Sequence, residues 1–214
     1  MKIKTILAIA FIAMTFKAKS QTFLGTQLNA TRITGYGIGL YGLGINSSFL
    51  FKKKHPISIS YNYYLPFQKQ YIDVFEPISS APSGTPNYNR VTKEKLTFSN
   101  IFIGYNIHPK GIDETGVYFL GEGGLAFMTY TYHQPGLGAN YGGSGGGFNI
   151  EEAIIGPYFG FGAGYQLILG NRSKIFFQGK LNSENFTWGD QTAVAPTSIP
   201  TSFTLNIGYQ ILLK

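Results

Sequence analysis

The sequence predicts an all-β protein: a single eight-stranded antiparallel up-and-down barrel that crosses a membrane with its strands. Three observations carry this reading. Apolar side chains recur with a period of two along most of the chain, and a strand sends successive side chains to opposite faces. The connections between these alternating segments are short and long in turn. Charged residues are 13% of the chain, against roughly 25% in an ordinary soluble domain, while aromatics reach 16% and glycine numbers 28.

Residues 1–20 read as a secretory signal peptide. Lys2 and Lys4 precede an apolar run from Ile6 to Met14, and Ala18-Lys19-Ser20 offers a small-x-small cleavage site before Gln21. The run is too short to span a bilayer, which takes roughly 20 apolar residues. Residues 21–214 then form the barrel domain. Without the first twenty residues the chain holds thirteen basic and ten acidic side chains, a net +3, with no basic stripe. Nucleic acid is therefore not an expected partner. The chain has no cysteine, so its stability in an exported setting rests on something other than disulfides. Past the leader no segment approaches the uninterrupted apolar length of a membrane helix.

Eight segments follow in order. The first two, 22–31 and 36–51, lie only a few residues apart, and the alternation slips between Leu40 and Leu43. A β-bulge near Gly42 is expected there, since one extra residue inverts the facing of everything after it. The third, 57–75, sets Ile57, Ile59, Tyr61, Tyr63, Leu65 and Phe67 against Ser58, Ser60, Asn62, Tyr64 and Pro66. The fourth, 91–107, and fifth, 115–133, flank the short turn His108–Glu114. In the sixth, 152–169, Ile155, Phe159, Phe161, Ala163, Tyr165 and Leu167 face one way, and Gly156, Tyr158, Gly160, Gly162, Gly164 and Gln166 the other. The seventh, 174–188, follows the short turn Gly170–Ser173. In the eighth, 201–213, Phe203, Leu205, Ile207, Tyr209, Ile211 and Leu213 alternate with Ser202, Thr204, Asn206, Gly208 and Gln210.

Short connections (Lys52–His55, His108–Glu114, Gly170–Ser173) alternate with long ones (Glu76–Arg90, Gln134–Ile150, Gly189–Pro200). Turns short at one end and long at the other are the pattern of bacterial outer-membrane barrels. The rival is a soluble lipocalin-like ligand-binding barrel, which is also eight-stranded with an apolar interior. Its exterior would carry many charges, whereas the polar face here is mostly Gly, Ser, Thr, Asn and Gln, which suits a crowded lumen. Aromatics are expected as two belts: Tyr130, Tyr132, Tyr158 and Trp188 toward the long loops, and Phe49, Phe51, Tyr105, Tyr165 and Tyr209 toward the short turns.

The stretch Gly37-Ile38-Gly39-Leu40-Tyr41-Gly42 spells a dinucleotide-binding fingerprint. That fingerprint needs a helix after it and an acidic residue about 20 positions on. The next acid is Asp73, and Leu43-Gly44-Ile45-Asn46 does not begin a helix. These glycines read instead as residues that relieve crowding and allow bends in a narrow barrel.

The signal peptide, the eight alternating strands and the unequal connections resemble the small outer-membrane β-barrel proteins of the OmpX and OmpA-transmembrane-domain type. The glycine- and tyrosine-rich strands are similar to those of the PorT-like barrels of gliding, type IX-secreting bacteria. The resemblance spans residues 21–214 and is one of pattern. It implies location in the cell outer membrane, outer-membrane lipid as surroundings, and other outer-membrane proteins as partners. One departure is the end of the chain, Leu212-Leu213-Lys214, where many such proteins carry a terminal aromatic.

Within the strands Glu122, Lys180 and Glu184 fall on faces expected to point inward. Isolated buried charges are costly, so a lumen charge network is expected among them and Arg32 or Arg90. The loops offer Tyr88, Tyr141 and Phe148 as contact residues, tyrosine and glycine together making adaptable surfaces. On the wall, Phe159, Phe161, Ala163 and Gly179 offer a face with small residues for a larger barrel to approach. His55 and His108 sit in turns, and neither H-E-x-x-H nor cysteine spacing is present, so no metal or cofactor is expected. The function expected is a non-catalytic interaction, accessory or structural role in the outer membrane, within a larger secretion, uptake or assembly complex. The alternative is a lipid hydrolase built from His133, Glu151 or Glu152, and Ser144.

Overall fold

The structure is a computed structural model that describes residues 22–33, 38–50, 55–143, 146–184 and 201–213. Eight strands close in chain order into one antiparallel ring: β1 (Thr22–Ile33), β2 (Ile38–Leu50), β3 (Pro56–Phe75), β4 (Tyr88–Ile107), β5 (Gly116–Gln134), β6 (Phe148–Leu169), β7 (Ser173–Glu184) and β8 (Thr201–Leu213). Closure by β1 against β8, from Thr22↔Leu213 to Ile33↔Ser202, leaves the ring itself no free edge. The segment expected to be a signal peptide, the β7–β8 connection and Lys214 lie outside the described residues.

The two faces of the wall differ as the alternation dictates. Leu28, Leu43, Ile103, Phe119, Phe159, Phe161 and Leu205 are all more than half exposed and point outward. Water would not tolerate so continuous an apolar girdle on a monomer, so this face meets lipid. No helix among the described residues is long and apolar enough to cross a membrane; the crossing is made by strands. Facing inward are Gln27, Asn29, Asn46, Asn62, Asn100, Lys180, Asn182 and Gln210, all buried.

The β1–β2 ladder runs without a shift through Ala30↔Tyr41, Asn29↔Gly42 and Leu28↔Leu43, so the bulge expected near Gly42 is absent. The apparent slip has another cause. Leu40 is an apolar residue on the inward face, packed with Ile33 and Tyr64, while Tyr41 and Leu43 point out. Gly42 serves a close approach: a Cβ there would lie 2.9 Å from the Tyr64 ring. The register irregularity sits instead in β3, between Tyr64 and Phe67.

β2 pairs with β3 only up to Gly42↔Tyr64, although β2 itself begins at Ile38; the β6–β7 ladder is described from Tyr158↔Glu184, where the described part of β7 ends. Beyond those points β3 continues to Phe75 on β4, and β6 begins at Phe148 on β5. The four strands β3–β6 thus rise together past the ring as a sheet. At about 3.3 Å per residue, residues 65–75 and 148–157 each add roughly 30 Å of strand. Among the described residues, the stretch 65–75 lacks a neighbour on its outer edge; the residues that follow Glu184 beside 148–157 lie outside the described residues.

β3 parts from β2 next to a proline, Pro66, at the register shift between Tyr64 and Phe67. Proline has no N–H to give a ladder and belongs at edges and bulges, so this residue marks where that pairing stops.

Candidate functional site

The lumen is filled in three levels. Toward the long loops, Ile33, Leu40, Tyr64, Leu96, Phe98, Phe102, Ala126, Met128, Ile154 and Tyr158 form an apolar plug. Tyr158, which the sequence suggested for an aromatic belt, is 1% exposed and belongs to this plug. Tyr130 also packs against it from the inward side. Tyr105, Tyr165 and Tyr209 do face outward near the short turns; Phe51 and Trp188 lie outside the described residues.

Below the plug the polar level is knitted across the barrel. Lys180 Nζ stands 2.7 Å from Glu122 Oε1, and both side chains are nearly inaccessible to solvent. Tyr158 donates its hydroxyl to the same carboxylate oxygen at 2.6 Å, and Lys180 lies 4.5 Å over the Phe102 ring. Gly160 makes room for this: a Cβ there would come within 2.9 Å of Glu122 and 2.7 Å of Asn182 Oδ1. Gln27 donates to Asn62 at 2.8 Å, and Asn62 to Asn100 at 2.9 Å, extending the network around the ring.

The four residues expected in the charge network separate. Glu122 and Lys180 meet. Arg32 is exposed on the outer wall, between buried Thr31 and Ile33, because its position in the strict period-two count of β1 turns it outward. It is not part of the lumen. Glu184 ends β7 opposite Tyr158, and its side chain lies outside the described residues. Arg90 sits in the rising sheet beyond the ring, 3.1 Å from Asp73 and stacked 4.6 Å over Phe75.

At the short-turn end the β4–β5 turn folds back into the mouth of the barrel. Ile112 at its tip is 1% exposed and His108 is stacked on Tyr118 at 4.7 Å. Gln166 on β6 holds the turn, donating from Nε2 to the carbonyl oxygens of Ile112 at 2.9 Å and Glu114 at 2.7 Å. Burial, reinforced by the Lys174 ammonium and by His55, pushes the pKa of His108 down to about 3. Only the buried isoleucine in a polar turn could have signalled this stopper in the sequence.

The loop residues are partly occupied with one another. Tyr88 and Tyr141 pack with tilted rings 5.2 Å apart, and Tyr141 donates to the Pro86 carbonyl at 2.7 Å. With the bond from Ile78 N to Asn140 O at 2.9 Å, they fasten the β3–β4 loop to the β5–β6 loop. Phe148 packs at 5.4 Å on Tyr132 and stays half exposed.

The hydrolase constellation does not assemble among the described residues. His133 is exposed on the outer side of the rising sheet, with its Nδ1 engaged by the Asn149 side chain. Glu151 lies opposite Thr131 on that side; Glu152, opposite Tyr130, is one residue on and faces the other way. Ser144 lies outside the described residues. Nor do three His, Asp or Glu side chains gather for a metal ion among the described residues.

No family model matches the chain, and no curated protein matches it in sequence. Solved structures do match in shape. The attachment invasion locus protein Ail of Yersinia pestis, in complex with the heparin analogue sucrose octasulfate, is 10% identical, with 91% of this chain and 97% of that one covered, at a TM-score of 0.49. The N-terminal β-barrel domain of Pseudomonas aeruginosa OprF is 12% identical over 91% and 100% of the chains, at 0.46. Neisserial surface protein A is 13% identical over 92% and 98%, at 0.46. Eight strands pairing in order, an apolar outer wall and a filled polar lumen make this chain a small eight-stranded barrel of the outer-membrane type.

Proposed function

We propose that the protein is a non-enzymatic barrel of the bacterial outer membrane whose work is done by the sheet that rises above it, as the docking surface for a partner protein. The observation that carries this is the strand edge at 65–75, which pairs with β4 and has no neighbour on its other side among the described residues. An open edge offers a row of backbone donors and acceptors to an incoming strand. Past Pro66 and Lys69 the outer side of β3 ends in Ile72 and Val74, 65% and 62% exposed. The fastened loops and the Arg90–Asp73 pair stiffen the sheet, so little ordering entropy opposes docking. A filled lumen leaves the wall and this sheet as the working surfaces.

A photo-crosslinking residue placed in turn at Gln70 and Ile72 in intact cells tests the reading. Protein adducts should form at these edge positions and not at Phe161 on the lipid-facing wall. If Phe161 crosslinks to protein and the edge positions do not, the barrel associates through its wall and the edge reading fails.

A further inference from the structure

Between the polar level and the β4–β5 turn lies a small chamber of about 30 Å³. A single water needs on the order of 10–15 Å³ by such a measure, so the chamber holds one to three water-sized atoms. Its lining is polar, including Ser48, Ser58, Ser60, Asn106, His108 and Lys174. The lysine is the anomaly. It is 4% exposed, yet it makes no ion pair and no hydrogen bond among the described residues. Its ammonium rests 4.3 Å over the Phe23 ring. A cation–π contact lowers the cost of burying an ammonium but does not neutralise it.

The charged and titratable groups around it do not supply a counter-charge. Glu122 also lines the chamber, but its Oε1 is taken by Lys180 and Tyr158. Asp113 attracts the lysine from the β4–β5 turn but is itself exposed, where water screens it. His55, beyond the β2–β3 turn, carries no negative charge in any form, and neutral His108 offers an N–H. Ser58, Ser60 and Asn106 have no hydrogen-bond partner for their side chains among the described residues, and each carries a donor. The chamber therefore presents one positive charge and several donors around a space of atomic size.

We propose that this chamber is a binding site for a small monatomic anion of the halide class, held by the Lys174 ammonium and by hydroxyl and amide donors from β3 and β4. Bound there, the ion balances the lysine and ties β7 to the strands across the lumen. The small volume favours a monatomic anion over a large one such as gluconate.

Crystals of the detergent-refolded mature chain grown in bromide test this directly. An anomalous peak is expected in the chamber within about 3.5 Å of Lys174 Nζ. In parallel, exchanging gluconate for bromide at constant ionic strength should raise the melting temperature of the natural chain by roughly 2–4 °C. Lys174→Met should abolish that rise, and Lys174→Arg should retain most of it. A chamber filled with water and no anomalous peak in the natural chain overturns the proposal, whether or not the methionine variant folds. An equal bromide effect in Lys174→Met overturns it too.

Discussion

Lys180 is accommodated in the middle of a narrow barrel by Glu122, 2.7 Å away, and by the Phe102 ring beneath it. Removing one partner of such a pair leaves an uncompensated buried charge, which costs about 3–5 kcal/mol, whereas replacing both by apolar side chains of similar size costs far less. Glu122→Gln should therefore lower the urea midpoint of the refolded barrel sharply, and adding Lys180→Met to a Glu122→Leu chain should restore much of it. Unfolding followed by loss of the fast-migrating band on unheated gels reads both. His108 carries a pH dependence of definite sign. Its folded pKa lies near 3 and its unfolded value near 6.5, so between those values the unfolded chain takes up a proton that the folded one refuses. Stability is full above about pH 6.5 and declines as pH falls toward 3. Thermal unfolding between pH 7 and 4 should show a shallower decline in His108→Asn than in the natural chain. Neither feature is fully legible in the sequence: period two places Glu122 and Lys180 on inward faces, but which residues meet across a lumen depends on strand stagger. Arg32 shows the limit, since its charge suggests the lumen and its parity in β1 sends it outward.

Elements are easier to read than their ends. The alternation in 201–213 and 155–167 carries over directly into β8 and β6, because each side chain's face is fixed by parity alone. What parity does not encode is where a neighbour stops, and there the signal is proline. Pro66 sits where β3 leaves β2, withholding an N–H at the start of the open edge. Substituting valine there supplies the missing donor. Chemical crosslinking in detergent should then reveal more edge-paired dimers, with monomer stability altered by less than about 1 kcal/mol. The β4–β5 turn makes a second element-level case. Gln166 gives it its main anchors, and Gln166→Ala would leave the Ile112 and Glu114 carbonyls without partners, costing about 1–3 kcal/mol. Trypsin acting from the short-turn side should cut after Lys110 in that variant and spare the natural chain.

At the scale of the molecule, the small polar inward face announces a crowded lumen, and parity places Tyr64 and Tyr158 on that face. That they join Leu40 and Phe98 in one apolar plug follows only from closure of the ring. Their position decides what the barrel can pass. An eight-stranded ring is just wide enough for side chains to fill, and here it is obstructed in series. Tyr158, Tyr64 and Phe98 block the upper part, the Lys180–Glu122 pair and the asparagines cross the middle, and Ile112 stops the lower mouth. Opening one level leaves the others shut. In planar lipid bilayers the natural chain should show no stable stepwise conductance, and Gln166→Ala, which loosens only the lower stopper, should show none either. A steady conductance approaching that of a sixteen-stranded porin in the natural chain would mean that the three levels part together, and the filled lumen would then be a closed state of a channel.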